Sequence, residues 1–509
     1  MHNVLKLLFK RVVVVSLCIA LQVGAFMVGL VWFSDYSVWF KAFLTALSWI
    51  AVLKIISDDV NSSYKLAWII PILAFPVFGI SIYLLFGGNR VSRSIRKKLQ
   101  LVEQMHREHL VQEGEVIDQV EQLDHQARLQ MNYLTDVALC PVYNNTRAEY
   151  FSVGEPCFAR MKQELIKAKH YIFLEYFIIS EGKMWDEILE ILTQKAAEGV
   201  DVRVIYDDFG CIMNLPMGYH KKLEARGIQC KVFSPYVPVV TPRLNNRDHR
   251  KFMIIDGLVG FTGGINLADE YINEKERFGH WKDCGIVLEG EGVWSMTVMF
   301  LSLWNYVTGW REPTRAYRPV YEPEEWDVGF VQPFADSPLD GESVGETVFL
   351  NLIAKAKKSV YIMTPYLILD GKMTNALRVA AKTGIDVRLV TPGIPDKKYV
   401  YALTKANYEP LKRAGVRIYE YSPGFIHSKS CCVDGEFALV GTVNLDFRSL
   451  YLHFEDGVLL YRSPAVQQVE DDFTKTFPIC HEVSLQECRE TKLRTRIFRS
   501  LLRVFSPLM

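Results

Sequence analysis

Three apolar runs fill the first ninety residues of the chain. The first, Val12–Phe33, is long enough to cross a bilayer as a helix, since about 20 apolar residues span the hydrocarbon core. The second, Val38–Ile56, spans only if its two lysines extend to the headgroups, and otherwise lies shallow or re-enters. The third, Leu66–Phe86, contains two prolines and ends at a glycine pair. The pattern predicts a transmembrane helical region over residues 1–90.

Basic residues that flank these runs indicate on which side of the membrane the rest of the chain lies. Basic residues before the first run also suit a signal peptide, but the run is long and lacks a clear cleavage site. A basic cluster between Arg90 and Lys98 favours the cytoplasmic side. Three spans would leave the N-terminal basic residues outside, whereas two spans and one shallow segment would place both basic flanks inside. The ten cysteines lack metal-type spacing and suit a reducing compartment, so we expect a multi-pass protein with a cytoplasmic large domain.

The next region, residues 91–139, is rich in Glu, Gln, Arg and His. It predicts a helical connector beside the membrane, whose basic start favours anionic lipid. A solvated helix explains the later part equally well. Residues 491–509 place apolar and arginine positions at helical spacing. This pattern predicts a basic amphipathic tail that lies on anionic lipid or packs on the large domain.

From residue 140 the pattern alternates between strands and helices, and the same order occurs twice. Strands are predicted at Tyr171–Ile178, Val200–Asp207, Lys231–Phe233, Ser359–Ile368, Ile385–Pro392 and Val416–Tyr421. Helices are predicted at Trp185–Glu198, Gly218–Arg226 and Tyr399–Ala414. The alternation predicts βαβ units and a mostly parallel sheet. We expect an α/β fold with two tandem βαβ-rich repeats about a pseudo-twofold axis, over residues 140–325 and 326–490, with the acidic stretch Glu322–Glu346 at their boundary.

One motif has the same place in both repeats: H-x-K-x4-D, followed by a glycine-led loop that ends in asparagine. The first copy consists of His249, Lys251, Asp256 and Asn266. The second consists of His427, Lys429, Asp434 and Asn444. All four residue types are displaced by one constant interval, for which chance is a poor explanation. The chain therefore contains a duplicated catalytic half-site.

These residue types suit a phosphodiester. In each copy the histidine and lysine are two apart on a predicted strand, so their side chains leave the same face. Lysines and amides can hold the non-bridging oxygens, while one neutral imidazole attacks phosphorus and the other, protonated, donates to the leaving alcohol. Each motif aspartate precedes a glycine, which is a strong hairpin signal, so we expect it to hold geometry rather than to transfer protons.

Two further carboxylates, Asp283 and Glu455, lie downstream of the two copies. We expect each to orient one imidazole, although a surface position explains Asp283 equally well. Metal binding is not expected, because potential ligands do not cluster and the remaining histidines are scattered along the chain. Lys and Arg total 58, as do Asp and Glu, so no overall charge indicates a nucleic-acid partner.

The doubled motif resembles that of the phospholipase D superfamily, and the chain from about Ser57 to its end is similar to the bacterial cardiolipin synthase branch. The similarity includes Asp269-Glu270-Tyr271 after the first loop, Asp446-x-Arg448-Ser449 after the second, and Ser506-Pro507-Leu508. The resemblance implies a transfer without metal or cofactor at the bacterial cell membrane. One phosphatidylglycerol forms a phosphatidyl-histidine and releases glycerol, and a second phosphatidylglycerol attacks to give cardiolipin. By analogy His249 is the nucleophile and His427 the acid and base, but the sequence does not choose between them.

Three features depart from that family's pattern: the added run Val12–Phe33, Thr442 in place of serine and His453 in place of asparagine. The last two leave the mechanism untouched and bear on the acceptor pocket. A hydrolytic phospholipase D or another phosphatidyltransferase would use the same residues. Oligomeric state and acceptor scope stay open. The near-zero net charge and the lack of an interleaved basic and aromatic face argue against a nuclease.

Overall fold

A computed structural model describes residues 20–25, 27–29, 32, 38–58, 61–87, 101, 104–235, 246–310, 312–321 and 328–508. Most of the first apolar run, Val12–Phe33, and the basic cluster after the third run lie outside these residues. The second run forms helix α1 (Val38–Ser57). Within the described ranges, α1 is the one helix that is long and apolar enough to cross a membrane.

The third apolar run is not one continuous helix. It forms α2 (Ser62–Ala74) and α3 (Pro76–Phe86), and the break lies before Pro76 because a proline disfavours the helical conformation of the residue that precedes it. The two helices pack closely at Gly79, where a Cβ atom would clash with the backbone of Pro71. At 13 and 11 residues, each is too short to cross ~30 Å of hydrocarbon. The run is a helical hairpin.

The connector contains helices α4 (Gly114–Leu123) and α5 (His125–Asp136). Their apolar side chains, among them Val120, Met131 and Leu134, are fully buried in the hydrophobic core that contains strands of both repeats. Burial of one apolar face stabilises such helices. The alternative of a merely solvated helix is therefore wrong for this part, because α4 and α5 belong to the core of the large domain, while a position beside the membrane stays a prediction.

The first repeat is a mixed sheet covered by helices. Its strands are β1 (Thr146–Phe151), β2 (Tyr171–Tyr176), β3 (Asp201–Asp207), β4 (Gln229–Phe233), β5 (Arg247–Asp248), β6 (Lys251–Ile255), β7 (Val259–Gly263), β8 (His280–Lys282) and β9 (Gly285–Gly290). Its helices are α6 (Gly154–Lys167), α7 (Lys183–Ala197), α8 (Asp208–Cys211), α9 (Tyr219–Glu224) and α10 (Val293–Thr308). The sheet order is β1-β9-β7-β6-β2-β3-β4, and of these pairs β2–β3 and β3–β4 are parallel.

The second repeat has the same arrangement. Its strands are β10 (Phe330–Asp336), β11 (Ser359–Met363), β12 (Asp386–Pro392), β13 (Arg417–Tyr421), β14 (Gly424–Ile426), β15 (Ser430–Val433), β16 (Phe437–Gly441), β17 (His453–Tyr461) and β18 (Cys480–Glu482). Its helices are α11 (Val344–Lys355), α12 (Gly371–Lys382), α13 (Lys398–Ala406), α14 (Tyr408–Lys412), α15 (Phe447–Tyr451), α16 (Pro464–Thr476) and α17 (Leu485–Arg489). The sheet order is β10-β17-β16-β15-β11-β12-β13-β18, with β11–β12 and β12–β13 parallel.

The α/β architecture with two repeats is confirmed, but the prediction of a mostly parallel sheet is wrong. The motif strands form the hairpins β6–β7 and β15–β16, and β9 and β17 extend them in antiparallel fashion. The stretch Glu322–Glu346 is also more than a linker, because it contains β10, which is buried and pairs with β17. The boundary between the repeats therefore contributes to a core that both share.

The tail forms α18 (Leu493–Phe505), in which no residue is fully buried. One side of α18 contacts α13 and α2, while the apolar side chains of Leu493, Ile497 and Leu501 are more than half exposed. Packing of the tail on the large domain is therefore confirmed. Contact of its exposed apolar side chains with lipid stays a prediction.

Candidate active site

The first motif histidine is delivered by a strand that pairs with the opposite repeat. β5 aligns in parallel with the start of β17, and the His249 N–H donates to the Phe454 carbonyl at 2.9 Å. The strand that carries the motif lysine begins only at Lys251. The prediction that histidine and lysine share one strand is therefore wrong, because the chain changes its pairing partner between them.

The second motif histidine is held in the mirrored way. β14 aligns in parallel with β8, and the His427 N–H donates to the Lys282 carbonyl at 2.7 Å. The strand that follows begins at Ser430, so Lys429 also precedes its strand. Each histidine is thus anchored by the backbone of the other repeat.

The two downstream carboxylates meet the histidines across the interface between the repeats. Glu455 of the second repeat lies 2.9 Å from Nδ1 of His249, and Asp283 of the first lies 2.6 Å from Nδ1 of His427. Both carboxylates are fully buried, so the surface alternative for Asp283 is wrong. A carboxylate at Nδ1 fixes the ring proton there and leaves Nε2 with a free lone pair. The pairs are crossed, since each repeat orients the imidazole of the other.

The two half-sites lie close enough to affect each other's protonation. Burial lowers the pKa of His249 well below its ordinary value, and the ammonium groups of Lys251 and Lys429 and the ring of His427 lower it further. Burial also lowers the pKa of His427 to about 4, with Lys429 adding to the shift and Asp283 opposing it. Both imidazoles are therefore neutral at neutral pH.

Each motif lysine is buried beside its own histidine. Lys251 Nζ donates to the His249 carbonyl at 2.5 Å, and Lys429 Nζ donates to the His427 carbonyl. Burial lowers the pKa of both ammonium groups, that of Lys429 to about 8, although neighbouring carboxylates oppose the shift. Two cationic donors in a pocket with little water can bind the non-bridging oxygens of one phosphate.

The motif aspartates cap strands instead of contacting the imidazoles. Asp256 accepts three backbone N–H groups at the start of β2, and Asp434 accepts three at the start of β11, all at 2.7–2.8 Å. Each has a left-handed backbone conformation, with φ of 53° and 58°, and precedes a glycine with φ of 68° or 67°. Asp-Gly in this conformation closes a tight hairpin. The contacts fit the geometric role expected from the sequence.

The two loop asparagines are buried but make different contacts. The Asn266 amide is engaged at both ends, since Oδ1 accepts the Ile178 N–H at 3.0 Å and Nδ2 donates to the Tyr271 hydroxyl at 2.7 Å. The Oδ1 atom of Asn444 is buried without a hydrogen-bond partner in the part of the chain that the structure describes. Its backbone N–H donates to Ser449 at 2.8 Å. Substrate binding by Asn266 and Asn444 stays a prediction. Of the two, Asn444 has an amide oxygen that can still accept a hydrogen bond from a ligand.

Known proteins are similar in sequence to this chain over most of its length. The cardiolipin synthase phospholipase D-like domain matches residues 161–279 and 349–477, and the phospholipase D-nuclease N-terminal family matches residues 46–88. An uncharacterized protein of Streptococcus mutans is 41% identical over 90% of this chain and 99% of its own length. A cardiolipin synthase of Geobacillus thermodenitrificans is 35% identical over 89% of this chain and 90% of its own length. The chain belongs to the cardiolipin synthase family.

Membership of that family makes the chain a phosphatidyltransferase of the phospholipase D type, with phospholipids as substrates. A solved phosphatidylserine synthase from Haemophilus influenzae has a similar fold, with a TM-score of 0.56 over 75% of this chain and 98% of its own. The two sequences are 15% identical, so this likeness concerns the fold alone.

A third histidine, His453, lies at the site of this cardiolipin synthase family member. Its ring centroid is 5.6 Å from that of His249. Trp281 has the matching position in the other half-site, with its ring 5.6 Å from that of His427. This place beside His249 agrees with the expectation that His453 bears on the pocket, although its contact with the histidine of the other repeat was not predicted. The sequence did contain a signal, because each of these two rings belongs to a residue two positions before an orienting carboxylate.

Three groups lie close enough to hold a metal ion, because ligand atoms of His249, His453 and Glu455 are within 4.8 Å of one another. The statement that potential ligands do not cluster is therefore wrong for this part of the site. The surroundings disfavour a cation, however. Arg448 donates to Nε2 of His453 at 3.3 Å, and the Glu455 oxygens already accept hydrogen bonds from His249 and Ser449. Together with the motif lysines, this positive charge favours an anion such as a phosphodiester.

Asp256→Asn and Asp434→Asn should lower the free energy of unfolding by similar amounts, about 1–3 kcal/mol each, because an amide keeps one acceptor oxygen but places an NH2 donor against a backbone N–H group. The turnover of the folded fraction should stay near that of the native chain. Thermal unfolding and specific activity of the same preparations measure both effects. Asp118→Asn changes an exposed carboxylate and serves as the control. A selective loss of turnover in well-folded variants would contradict the geometric role.

The buried neutral state of His427 should make stability depend on pH. Its pKa of about 4 lies below the ordinary value of 6.5, so the unfolded chain binds more protons between these values. Stability therefore falls as the pH drops through this window, by about 2 kcal/mol from this residue between pH 7 and pH 5. The melting temperature of His427→Gln should fall less than that of the native chain over the same range. An equal fall in both would show that the ring is not held neutral, and His481→Gln, at an exposed ring, is the control.

Proposed function

We propose that this protein is a cardiolipin synthase that transfers a phosphatidyl group from one phosphatidylglycerol to a second, which gives cardiolipin and glycerol. The observation that supports this most strongly is the crossed pair of imidazole–carboxylate contacts around two buried lysines. Such a site offers two neutral rings with unprotonated Nε2 atoms and positive donors for one phosphate. No nucleotide is required, because one phosphodiester is exchanged for another.

In the proposed first step, Nε2 of His249 attacks phosphorus and the bond from phosphorus to the glycerol oxygen breaks. Protonated His427 donates its Nε2 proton to that oxygen. The assignment follows the resemblance to the family, because burial lowers the pKa of both rings and does not by itself choose between them. The negative charge of a bound phosphodiester raises the pKa of both rings. His427, whose Nδ1 lies 2.6 Å from Asp283, then carries the proton at Nε2.

In the proposed second step, a hydroxyl of another phosphatidylglycerol attacks the phosphatidyl-histidine and gives its proton to Nε2 of His427. The bond between phosphorus and His249 breaks, which restores the starting state. The motif lysines stabilise the added negative charge in both steps. Water would hydrolyse the intermediate to phosphatidic acid, so it must be kept from the pocket. The rings of Trp281 and Tyr271, 5.6 and 5.5 Å from that of His427, restrict the space beside the leaving group.

We further propose that the protein is a multi-pass membrane protein with its catalytic repeats on the cytoplasmic side. Helix α1 supports one span, and the α2–α3 hairpin supports a second embedded segment, because α2 exposes Leu66, Ile70 and Leu73. The cysteines of the described ranges are free, which fits a reducing compartment. Phosphatidylglycerol and other anionic lipid of that membrane would be the partners.

Purified full-length protein in phosphatidylglycerol vesicles should form cardiolipin and glycerol in equal amounts. His249→Ala and His427→Ala should each lower the rate roughly a thousandfold or more, because each removes a group that forms or protonates a bond in the reaction. Mass spectrometry of the lipid products measures the rate. His481→Ala, whose exposed ring lies outside the pocket, should keep the native rate.

The products also separate the alternatives. Phosphatidic acid as the main product would identify a hydrolytic phospholipase D, and exchange to a different headgroup would identify another phosphatidyltransferase. Appreciable cardiolipin formation by either alanine variant would refute the assignment of two catalytic histidines. The two roles would be reversed if the His249→Ala variant carried a covalent phosphatidyl label on His427 while the His427→Ala variant carried none on His249.

The transfer should proceed without a metal ion. Activity should survive treatment with EDTA followed by dialysis, because the lysines and histidines supply the charge and the proton transfer that the reaction needs. The measurement is the rate of cardiolipin formation before and after treatment. A loss that a divalent ion restores would contradict this expectation and would implicate the cluster of His249, His453 and Glu455.

A further inference from the structure

We propose that a second phosphate-binding site, apart from the catalytic pocket, holds the headgroup of an anionic phospholipid where the N-terminal hairpin, the second repeat and the tail meet. A cavity of about 510 Å³ lies at this junction. Its polar lining includes Ser63, Asp370, Thr374, Arg378, Arg503 and Ser506. None of its lining residues belongs to the catalytic pocket, so its occupant would be additional to the two reacting lipids. The inference does not depend on the proposed reaction.

Two arginines give the cavity its positive charge. Within the described ranges, neither Arg378 nor Arg503 forms an ion pair. The Nε atom of Arg378 and the hydroxyl of Thr374 are buried without a hydrogen-bond partner in the same part of the chain. Buried donors are normally satisfied, and a guanidinium is best satisfied by the paired oxygens of a carboxylate or phosphate. These donors therefore need an anionic partner, and in the described part of the chain the protein does not supply one.

One acidic residue, Asp370, also lines the cavity, but its carboxylate is already satisfied. Oδ1 accepts the Met373 N–H at 2.8 Å, and Oδ2 accepts from Asn61 Nδ2 at 2.8 Å. These contacts fix the wall where the hairpin joins the second repeat. With two guanidinium groups and one carboxylate, the lining keeps a net positive charge.

Helix α12 presents one face to the cavity. Gly371, Thr374, Asn375 and Arg378 line it at spacings of three and four residues, which place side chains on a single side of a helix. The helix also begins at this cavity, so the positive end of its dipole adds to the charge of the arginines. The hydroxyl, the amide and the guanidinium along this face are suited to the oxygens of a phosphate.

The remaining walls favour a lipid over a free phosphate. Ser63 lies in the first turn of α2, Arg503 lies in the last turn of α18, and the apolar side chains of Leu369 and Phe447 also line the cavity. Leu66, about one turn along α2 from Ser63, is more than half exposed. A phosphate in the cavity would thus lie next to apolar surface along which acyl chains can pack.

The proposal can be tested by binding alone. Full-length protein in dodecyl maltoside micelles would be titrated with phosphatidic acid, with phosphatidylcholine and with inorganic phosphate, and retained lipid would be counted by native mass spectrometry. We expect Arg378→Gln combined with Arg503→Gln to raise the half-saturating fraction of phosphatidic acid for one bound lipid at least tenfold. The matched control, Lys382→Gln combined with Arg496→Gln, removes the same charges from exposed positions of α12 and α18 and should bind as the native chain does.

A second variant guards against misfolding of the first. Asn375→Trp changes an exposed residue of the lining, keeps the charge and should fill the cavity, so it should also lose the bound lipid. Equal binding in the arginine variant and its control would overturn the proposal. Equally tight binding of phosphatidylcholine, or full displacement of phosphatidic acid by millimolar inorganic phosphate, would overturn the assignment to an anionic lipid. Because no turnover is measured, a wrong reaction product in the vesicle assay would leave this result unchanged.

Discussion

The hydrogen bond between each imidazole and the carboxylate of the opposite repeat is the interaction on which the site depends. It fixes the proton at Nδ1, and it can form only if both repeats are docked in one register. That register is set by the short parallel pairs β5–β17 and β14–β8, which end one residue before His249 and His427. The chemistry therefore depends most on the point in each repeat where the chain leaves its own sheet and pairs with a strand of the other repeat.

Burial of so many charged groups is costly unless they are paired, since an isolated ion in an apolar interior costs several kcal/mol. At this site two ammonium groups lie among several carboxylates, and the pairing extends beyond the motif. Arg250 Nε lies 2.7 Å from Glu175 and 3.2 Å from Asp248, all three buried. Thr262 donates to Asp456, a carboxyl whose pKa burial raises to about 7. The network holds the motif strands in place and pairs the buried charges around the two motif lysines, whose ammonium groups are the donors for an anion.

Much of the architecture follows from local patterns in the sequence. The doubled motif, the Asp-Gly hairpins and the helices of both repeats are short-range features, and the structure agrees with them. The long-range pairings were not predicted. The mixed sheet, the crossed contacts of Asp283 and Glu455, and the place of His453 all depend on which distant strands meet, which periodicity does not specify. The two helices of the third apolar run likewise follow from packing at Gly79 as well as from the prolines.

The crossed pairing also limits how substrates can reach the pocket. Many enzymes admit large substrates by swinging two domains apart, but here such a hinge would pull His249 from Glu455 and His427 from Asp283 at once. Lipids must therefore exchange while the halves stay locked together. Through the catalytic cycle the two repeats would thus behave as one rigid unit.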